Sequence, residues 1–300
     1  TDDAFVLLRS KHKAPAKVRV DFSQIGEQIE IVCERGLPGV PLLIPILNLT
    51  LLAKGILPLH ASAFVHEGTG VVATGWSKSG KTEALLAFGA RGAEYIGDEW
   101  IYLAPDGSRV YGIPQPIRVW DWHLRQLPEY QALISRGERT RLRALGLLLP
   151  PGRALQRVGG GRHTPARTFR RLEPLVRSQL HVDVEPERLF GPHGDLSAPF
   201  DRLFFLVSRD GPGVEVAPID PLEVARRMVF SLQHERLDFM AYYLKARFAF
   251  PDAASPVVEH AEELQREALS QAFAGKPAYV VHHPYPFSLA ALYEAMSRVC

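Results

Sequence analysis

Cysteine is nearly missing from this chain: Cys33 and Cys300 are the only two, they lie near opposite ends, and neither belongs to a C-x-x-C pair. A disulfide framework and a cysteine-built zinc site therefore drop out, and a reducing cytoplasm is the expected setting. Long apolar runs are missing too. The greasiest stretch, Val40 to Leu59, is interrupted by Pro41, Pro45, Asn48, Lys54 and Pro58, whereas a membrane span needs about 20 apolar residues in a row. The expectation is a buried helix and no membrane partner. The first residues, Thr1-Asp2-Asp3-Ala4, are acidic and show no basic segment followed by an apolar one, so no secretory signal is expected. Repeats and low-complexity tracts are lacking, which sets aside solenoids and fibres.

What is present is a core-forming composition, 46% hydrophobic over 300 residues, enough for one main domain with appendages. Net charge is only +2 but is unevenly spread. Between Arg136 and Arg177 eleven arginines face two acids, Glu138 and Glu173, and the rest of the chain is net negative. Pro150-Pro151-Gly152 and Gly159-Gly160-Gly161 interrupt this segment, so part of 136–177 is expected to be a mobile loop, suited to an acidic partner. No RNA-binding motif or interleaved aromatics accompany it, and a nucleic-acid role is disfavoured.

The chemistry concentrates in one octet, Gly75-Trp76-Ser77-Lys78-Ser79-Gly80-Lys81-Thr82, a complete G-x-x-x-x-G-K-[ST] phosphate loop. Gly75 and Gly80 let the backbone curl so that N–H groups, Ser77 to Ser79 among them, point at phosphate oxygens, and the following helix adds its positive end. Lys81 supplies an ammonium for the β/γ-phosphates, and the Thr82 hydroxyl is placed to ligate Mg²⁺. The context fits: Val71-Val72-Ala73-Thr74 reads as a strand, and 82–91 as a helix. The expected ligands are a nucleoside triphosphate, ATP or GTP by the residues alone, and Mg²⁺; no Asn-Lys-x-Asp guanine reader is present, and ATP is what the resemblance given below implies.

Around the octet the pattern reads as α/β, a mixed sheet flanked by helices. Residues 1–40 form an N-terminal β-hairpin appendage, 41–220 the core with its Arg-rich insertion, and 221–300 a C-terminal helical region. Within this frame 42–54 is a helix, 59–65 a strand, 101–103 and 109–111 a hairpin, and 201–207 and 278–281 strands. Asp220-Pro221 and Ser255-Pro256 open helices over 221–234 and 256–274, the second closed by Gly275. A last helix covers 288–299. A helix of about 11 residues runs back about 16 Å, and about five extended residues return that distance. Ala93 to Gly97 should therefore bring Asp98-Glu99 to the sheet edge that carries the octet.

An acidic pair only sixteen residues after Thr82 resembles the HPr kinase/phosphorylase family, whose kinase core shares the fold of ATP-dependent phosphoenolpyruvate carboxykinases. The resemblance rests on Leu59-His60-Ala61-Ser62, Gly70-Val71, Gly80-Lys81-Thr82-Glu83, Arg91-Gly92 and Asp98-Glu99. Beyond residue 100 it thins to a general similarity with diverged HPr-kinase-like proteins, kinases of lasso-peptide precursors among them. By resemblance, Asp98 is the general base that takes the proton of a serine hydroxyl, Glu99 with Thr82 holds Mg²⁺, His60 lies beside Asp98 and tunes it, and Arg153, with Arg157 and Arg162, reaches the phosphates. It also implies a homo-oligomer. As a plain strand histidine, His60 would instead be buried and satisfied by its neighbours, and His282-His283 reads as strand and loop. The chain departs from the family at Glu99, where aspartate is usual, at Lys78 inside the loop, and in lacking the Glu-x-Arg-Gly-x-Gly signature, in whose place Gln115-Pro116-Ile117-Arg118-Val119 is expected.

The first expectation is thus a diverged ATP-dependent kinase acting on a serine or other hydroxyl of a protein or peptide. A small-molecule hydroxyl kinase and a non-catalytic nucleotide-responsive binding module are the alternatives.

Overall fold

The computed structural model describes residues 5–9, 16–158, 171, 173–192 and 194–300, and for 5–9, 16 and 148–158 the backbone. Its centre is a mixed sheet. Strand β4 (Leu57–His66) turns at Glu67-Gly68 into β5 (Thr69–Gly75), and these two antiparallel strands form the middle. On one side β5 pairs in parallel with β12 (Arg202–Ser208), β12 pairs in parallel with β14 (Ala278–His283), and β13 (Glu215–Pro218) closes that edge. On the other side β4 is long enough to pair with two strands in succession. Its C-terminal part takes β6 (Glu94–Gly97), and its N-terminal part takes β7 (Trp100–Leu103). β8 (Arg109–Gly112) and β11 (Ser197–Pro199) extend the sheet from β7.

Alternation along the strands explains the two cores. Val72, Leu203 and Phe205 face one side with Leu57, Leu59, Ala61 and Ala63. They pack under α1 (Leu43–Ala53), α7 (Pro221–Glu235) and α10 (Ala261–Phe273). Val71, Ala73, Phe204 and Leu206 face the other, against α2 (Lys81–Gly89) and α11 (Leu289–Ser297). Helices on both faces keep both sets of alternating residues out of water, each large side chain contributing about 1.5–3 kcal/mol.

Expected caps do their work. The Asp220 side chain accepts from Leu222 N–H at the start of α7, and Ser255 from Val258 N–H just beyond Pro256. The 256–274 helix is two pieces, α9 (Pro256–Glu259) and α10, separated at His260. A helix absent from the sequence reading, α8 (Leu237–Ala249), follows α7 directly.

At the N-terminus β1 (Phe5–Arg9), β2 (Ala16–Val20) and β3 (Ile31–Cys33) form a small antiparallel sheet. Val18, Val20, Phe22 and Ile25 tie it into the first core. The 221–300 region carries helices and also β14, an interior strand of the main sheet.

Between β8 and β12 run β9 (Ile117–Trp120), α3 (Asp121–Gln126), α4 (Pro128–Leu133), α5 (Arg136–Val158), β10 (His181–Val184) and α6 (Pro186–Phe190), with β10 paired to β9. The loop expected at Pro150-Pro151-Gly152 is not there, because α5 continues through these residues to Val158. Each proline removes one intrahelical N–H and costs a helix interior about 3 kcal/mol, so the continuation of α5 is a departure from the local preference. Gly159 to Gly161 lie outside the described residues. No helix among the described residues is long and apolar enough to cross a membrane.

Candidate functional site

The octet leaves β5 at Gly75 and enters α2 at Lys81. Ser79 N–H donates to the Trp76 carbonyl, closing a tight turn. Gly75 is required, since a Cβ there would stand 2.5 Å from both the Leu206 carbonyl oxygen and Ser79 Oγ. Gly80 and Lys78 both adopt left-handed φ, 102° and 64°, and for lysine that conformation costs about 1–2 kcal/mol. The outcome is a concave run of donors. Among the described residues no acceptor faces the N–H groups of Ser77, Lys78, Gly80, Lys81 or Thr82, and the buried Ser79 Oγ has no partner. Unpaired N–H groups at a helix start form an anion cradle.

The loop is braced from three elements. His283, buried at the end of β14, places Nε2 2.7 Å from the Ser79 carbonyl oxygen. Ser62 on β4 donates to the Lys81 carbonyl at 2.8 Å. The last turn of α7 stacks His234 on the half-exposed Trp76, ring centroids 4.9 Å apart. The Lys81 ammonium is buried and donates to the Trp76 carbonyl at 2.9 Å. Burial lowers its pKa, against the opposing charges of Glu99, Asp98, Glu235 and Glu83.

Asp98 and Glu99 occupy the break where the chain passes from β6 to β7 along β4, at the edge expected for them. Glu99 has φ 64°, and the two consecutive carboxylates go to different partners. Asp98, 3% exposed, accepts from Thr82 Oγ1, with Oδ2 at 3.0 Å and Oδ1 at 3.2 Å. Burial, reinforced by the charge of Glu99, pushes the Asp98 carboxyl up to about 7, with the Thr82 hydrogen bond opposing.

Glu99 turns instead to His60, whose Nε2 donates to Oε2 at 3.2 Å. On the other side of the ring, Nδ1 lies 3.0 Å from Glu235 Oε1 at the end of α7; this contact is off the hydrogen-bonding direction and acts through charge. Trp100 stacks on the same imidazole at 5.6 Å. Burial alone would lower the His60 pKa, but Glu235 and Glu99 outweigh it and raise it. The His60 contact in turn holds both carboxylates below the ordinary glutamate range, against burial.

This corrects the expected pairing. His60 stands beside Glu99 and Glu235 and not beside Asp98, and the carboxylate on Thr82 is Asp98 and not Glu99. Thr82 Oγ1 with the Asp98 carboxylate is an all-oxygen donor pair of the hard type that Mg²⁺ takes, so these residues fit that ion. Among the described residues no group of three or more His, Cys, Asp or Glu forms a metal cluster. Mg²⁺ beside a triphosphate does not need one, because substrate oxygens and water complete its shell.

Three participants carried no signal in the sequence: Glu235, the Trp76–His234 stack, and His123. Trp120 N–H donates to His123 Nδ1, which leaves Nε2–H to bind Glu83 Oε1 at 3.2 Å and anchor the first turn of α2. In the segment expected at the signature position, Arg118 pairs with Asp183 at 3.0 Å. Gln115 lines a cavity of about 570 Å³ that Glu99, Trp100 and Glu235 also line. Arg153 and Arg157 sit on the last turns of α5; their side chains, and all of Arg162, lie outside the described residues. Comparison with family models and with curated proteins finds no match for this chain.

Proposed function

We propose that the protein is an ATP-dependent kinase of the HPr-kinase-like, phosphate-loop type that transfers the γ-phosphoryl group to a hydroxyl. The observation that carries the reading is the row of five acceptor-free N–H groups from Ser77 to Thr82, set at the start of α2 with Thr82 Oγ1 3.0 Å from Asp98. Such a row binds phosphate oxygens without reorganisation. The Lys81 ammonium exchanges its bond to the Trp76 carbonyl for a stronger, charge-assisted one to phosphate. Thr82 Oγ1 and the Asp98 carboxylate would hold Mg²⁺, which would supply charge neutralisation on the phosphates.

Asp98 therefore takes the metal side, and Glu99, oriented by His60 and Glu235, takes the proton of the acceptor. In the transfer, the hydroxyl oxygen forms a bond to the γ-phosphorus as the bond from that phosphorus to the β–γ bridging oxygen breaks. ADP leaves with the electron pair, and the hydroxyl proton passes to the Glu99 carboxylate and then to solvent. A positioned base is worth about 10²–10⁴ in rate.

The acceptor is a serine of a protein or peptide in the first reading. The pocket of about 570 Å³ that Glu99 lines favours the second, a small-molecule hydroxyl. Incubation with Mg-ATP and separated peptide and metabolite fractions of a lysate, read by mass shift, tests both. Transfer is expected with the native protein, none with Lys81→Ala, and none with Glu99→Gln although it still binds ATP. Tight ATP binding with no product from any fraction would leave a nucleotide-responsive binding module.

A further inference from the structure

The cavity beside Glu99 lies between α1 and the α7–α8 corner, and its volume of about 570 Å³ is that of a site for a small molecule. Its body is apolar, with walls from Leu42, Leu49, Leu232 and Phe239. Its charges are unequally matched. Glu99 and Glu235 are both engaged by His60, and Asp238 on the wall also has an interaction partner. The cations are not balanced in this way. Arg236 donates Nη1 to the neutral Gln265 Oε1 at 2.9 Å, and among the described residues no carboxylate hydrogen-bonds to it; Glu262 acts on it only through its field. The Lys245 ammonium lies over the Tyr242 ring at 5.2 Å. A partly buried guanidinium with unused donors calls for an anion, and a planar carboxylate matches its fork.

We propose that this cavity holds the body of the acceptor, and that the acceptor is a small hydroxy acid: an apolar skeleton with a carboxylate for Arg236 and Lys245 and a hydroxyl presented to Glu99. The assignment rests on the phosphotransfer reading. It favours a compact acceptor over an extended acidic peptide, because one pocket of about 570 Å³ supplies the apolar wall, the anion site and the general base.

The test uses the whole chain and two probes, 3-hydroxydecanoate and 3-hydroxy-3-phenylpropanoate, with decane-1,3-diol as the control lacking the carboxylate. Calorimetry without nucleotide is expected to show a hydroxy acid bound about tenfold or more tighter than the diol, the size of one charge-assisted hydrogen bond. In Arg236→Gln that preference collapses. Ala241→Trp, at an exposed helix position on the cavity wall, replaces no core side chain, puts a bulky ring into the space and is expected to abolish binding of all three compounds. With Mg-ATP, phosphorus NMR should show a phosphate monoester at the probe hydroxyl.

Equal affinity for acid and diol in the native protein, or binding that survives Ala241→Trp, overturns the cavity assignment. Selective binding without ester formation, by a protein that turns over ATP, overturns the acceptor role. The underlying reading fails separately: a native protein that binds the probes but not Mg-ATP is no kinase, and the acceptor role falls with it.

Discussion

Asp98→Asn should inactivate the protein and stabilise it. The native carboxyl is buried between the Thr82 hydroxyl and the charge of Glu99, and it titrates at about 7 where an ordinary aspartate has 3.8. That difference corresponds to about 4 kcal/mol against the folded state at high pH. The sign follows from proton counting. Below pH 3.8 the carboxyl is neutral in both states and costs nothing. Between 3.8 and 7 the unfolded chain loses the proton while the native state keeps it, so stability falls as pH rises, and above 7 the penalty is complete. Asparagine keeps the shape, and its Oδ1 still accepts from Thr82, so half or more of the penalty should be recovered, about 2 kcal/mol, or about 4 °C in Tm at pH 8. Thermal melts of native and variant protein in chelator, from pH 4 to pH 8, measure this directly. The gain should shrink towards zero at pH 4. A variant less stable than the native protein at pH 8, or a gain independent of pH, would refute the argument that burial strains this carboxylate.

His60→Gln removes the opposite kind of group. A raised histidine pKa contributes stability that is complete below 6.5 and is lost as pH rises through the folded value. The variant should therefore be destabilised most at pH 5–6 and converge on the native protein in alkali, as denaturant titration across pH would show. Gly75→Ala forces a Cβ to within 2.5 Å of the Leu206 carbonyl and should cost about 2 kcal/mol or more, with loss of nucleotide binding read in the same sample. Lys78→Gly relieves a left-handed lysine and should gain up to about 1 kcal/mol in a urea titration, while weakening ATP by removal of one cation. Glu235→Gln leaves the loop intact but frees one side of His60. It should lower kcat with little change in the KM for ATP, and an unchanged kcat would remove Glu235 from the positioning of Glu99.

The features legible in the sequence were those that local chemistry dictates. The octet, the Asp220 and Ser255 caps and the arrival of Asp98 at the loop edge follow from glycine conformations, first-turn prolines and chain reach. What escaped has equally physical causes. α8 spreads apolar residues over both faces, burying Phe239, Tyr243 and Ala246 while leaving Leu237, Leu244 and Phe248 exposed, so it shows no single stripe to read. The prolines of α5 announced a break that the helix does not make. Which partner each of Asp98 and Glu99 takes is set by tertiary packing against Thr82 and His60, which no pattern of residue types reveals. Glu235 meets His60 only through tertiary packing, so their sequence distance hid the contact.

The central claim is that the octet binds Mg-ATP with Thr82 and Asp98 on the metal and Lys81 on the phosphates. Calorimetric titration of ATP into the native protein, with and without Mg²⁺, tests it most directly when repeated on Lys81→Ala. The account predicts binding strengthened by Mg²⁺ in the native protein and weakened at least about tenfold in the variant, the loss of one charge-assisted bond. A native protein that takes up no ATP, or a variant that binds it equally well, would contradict it.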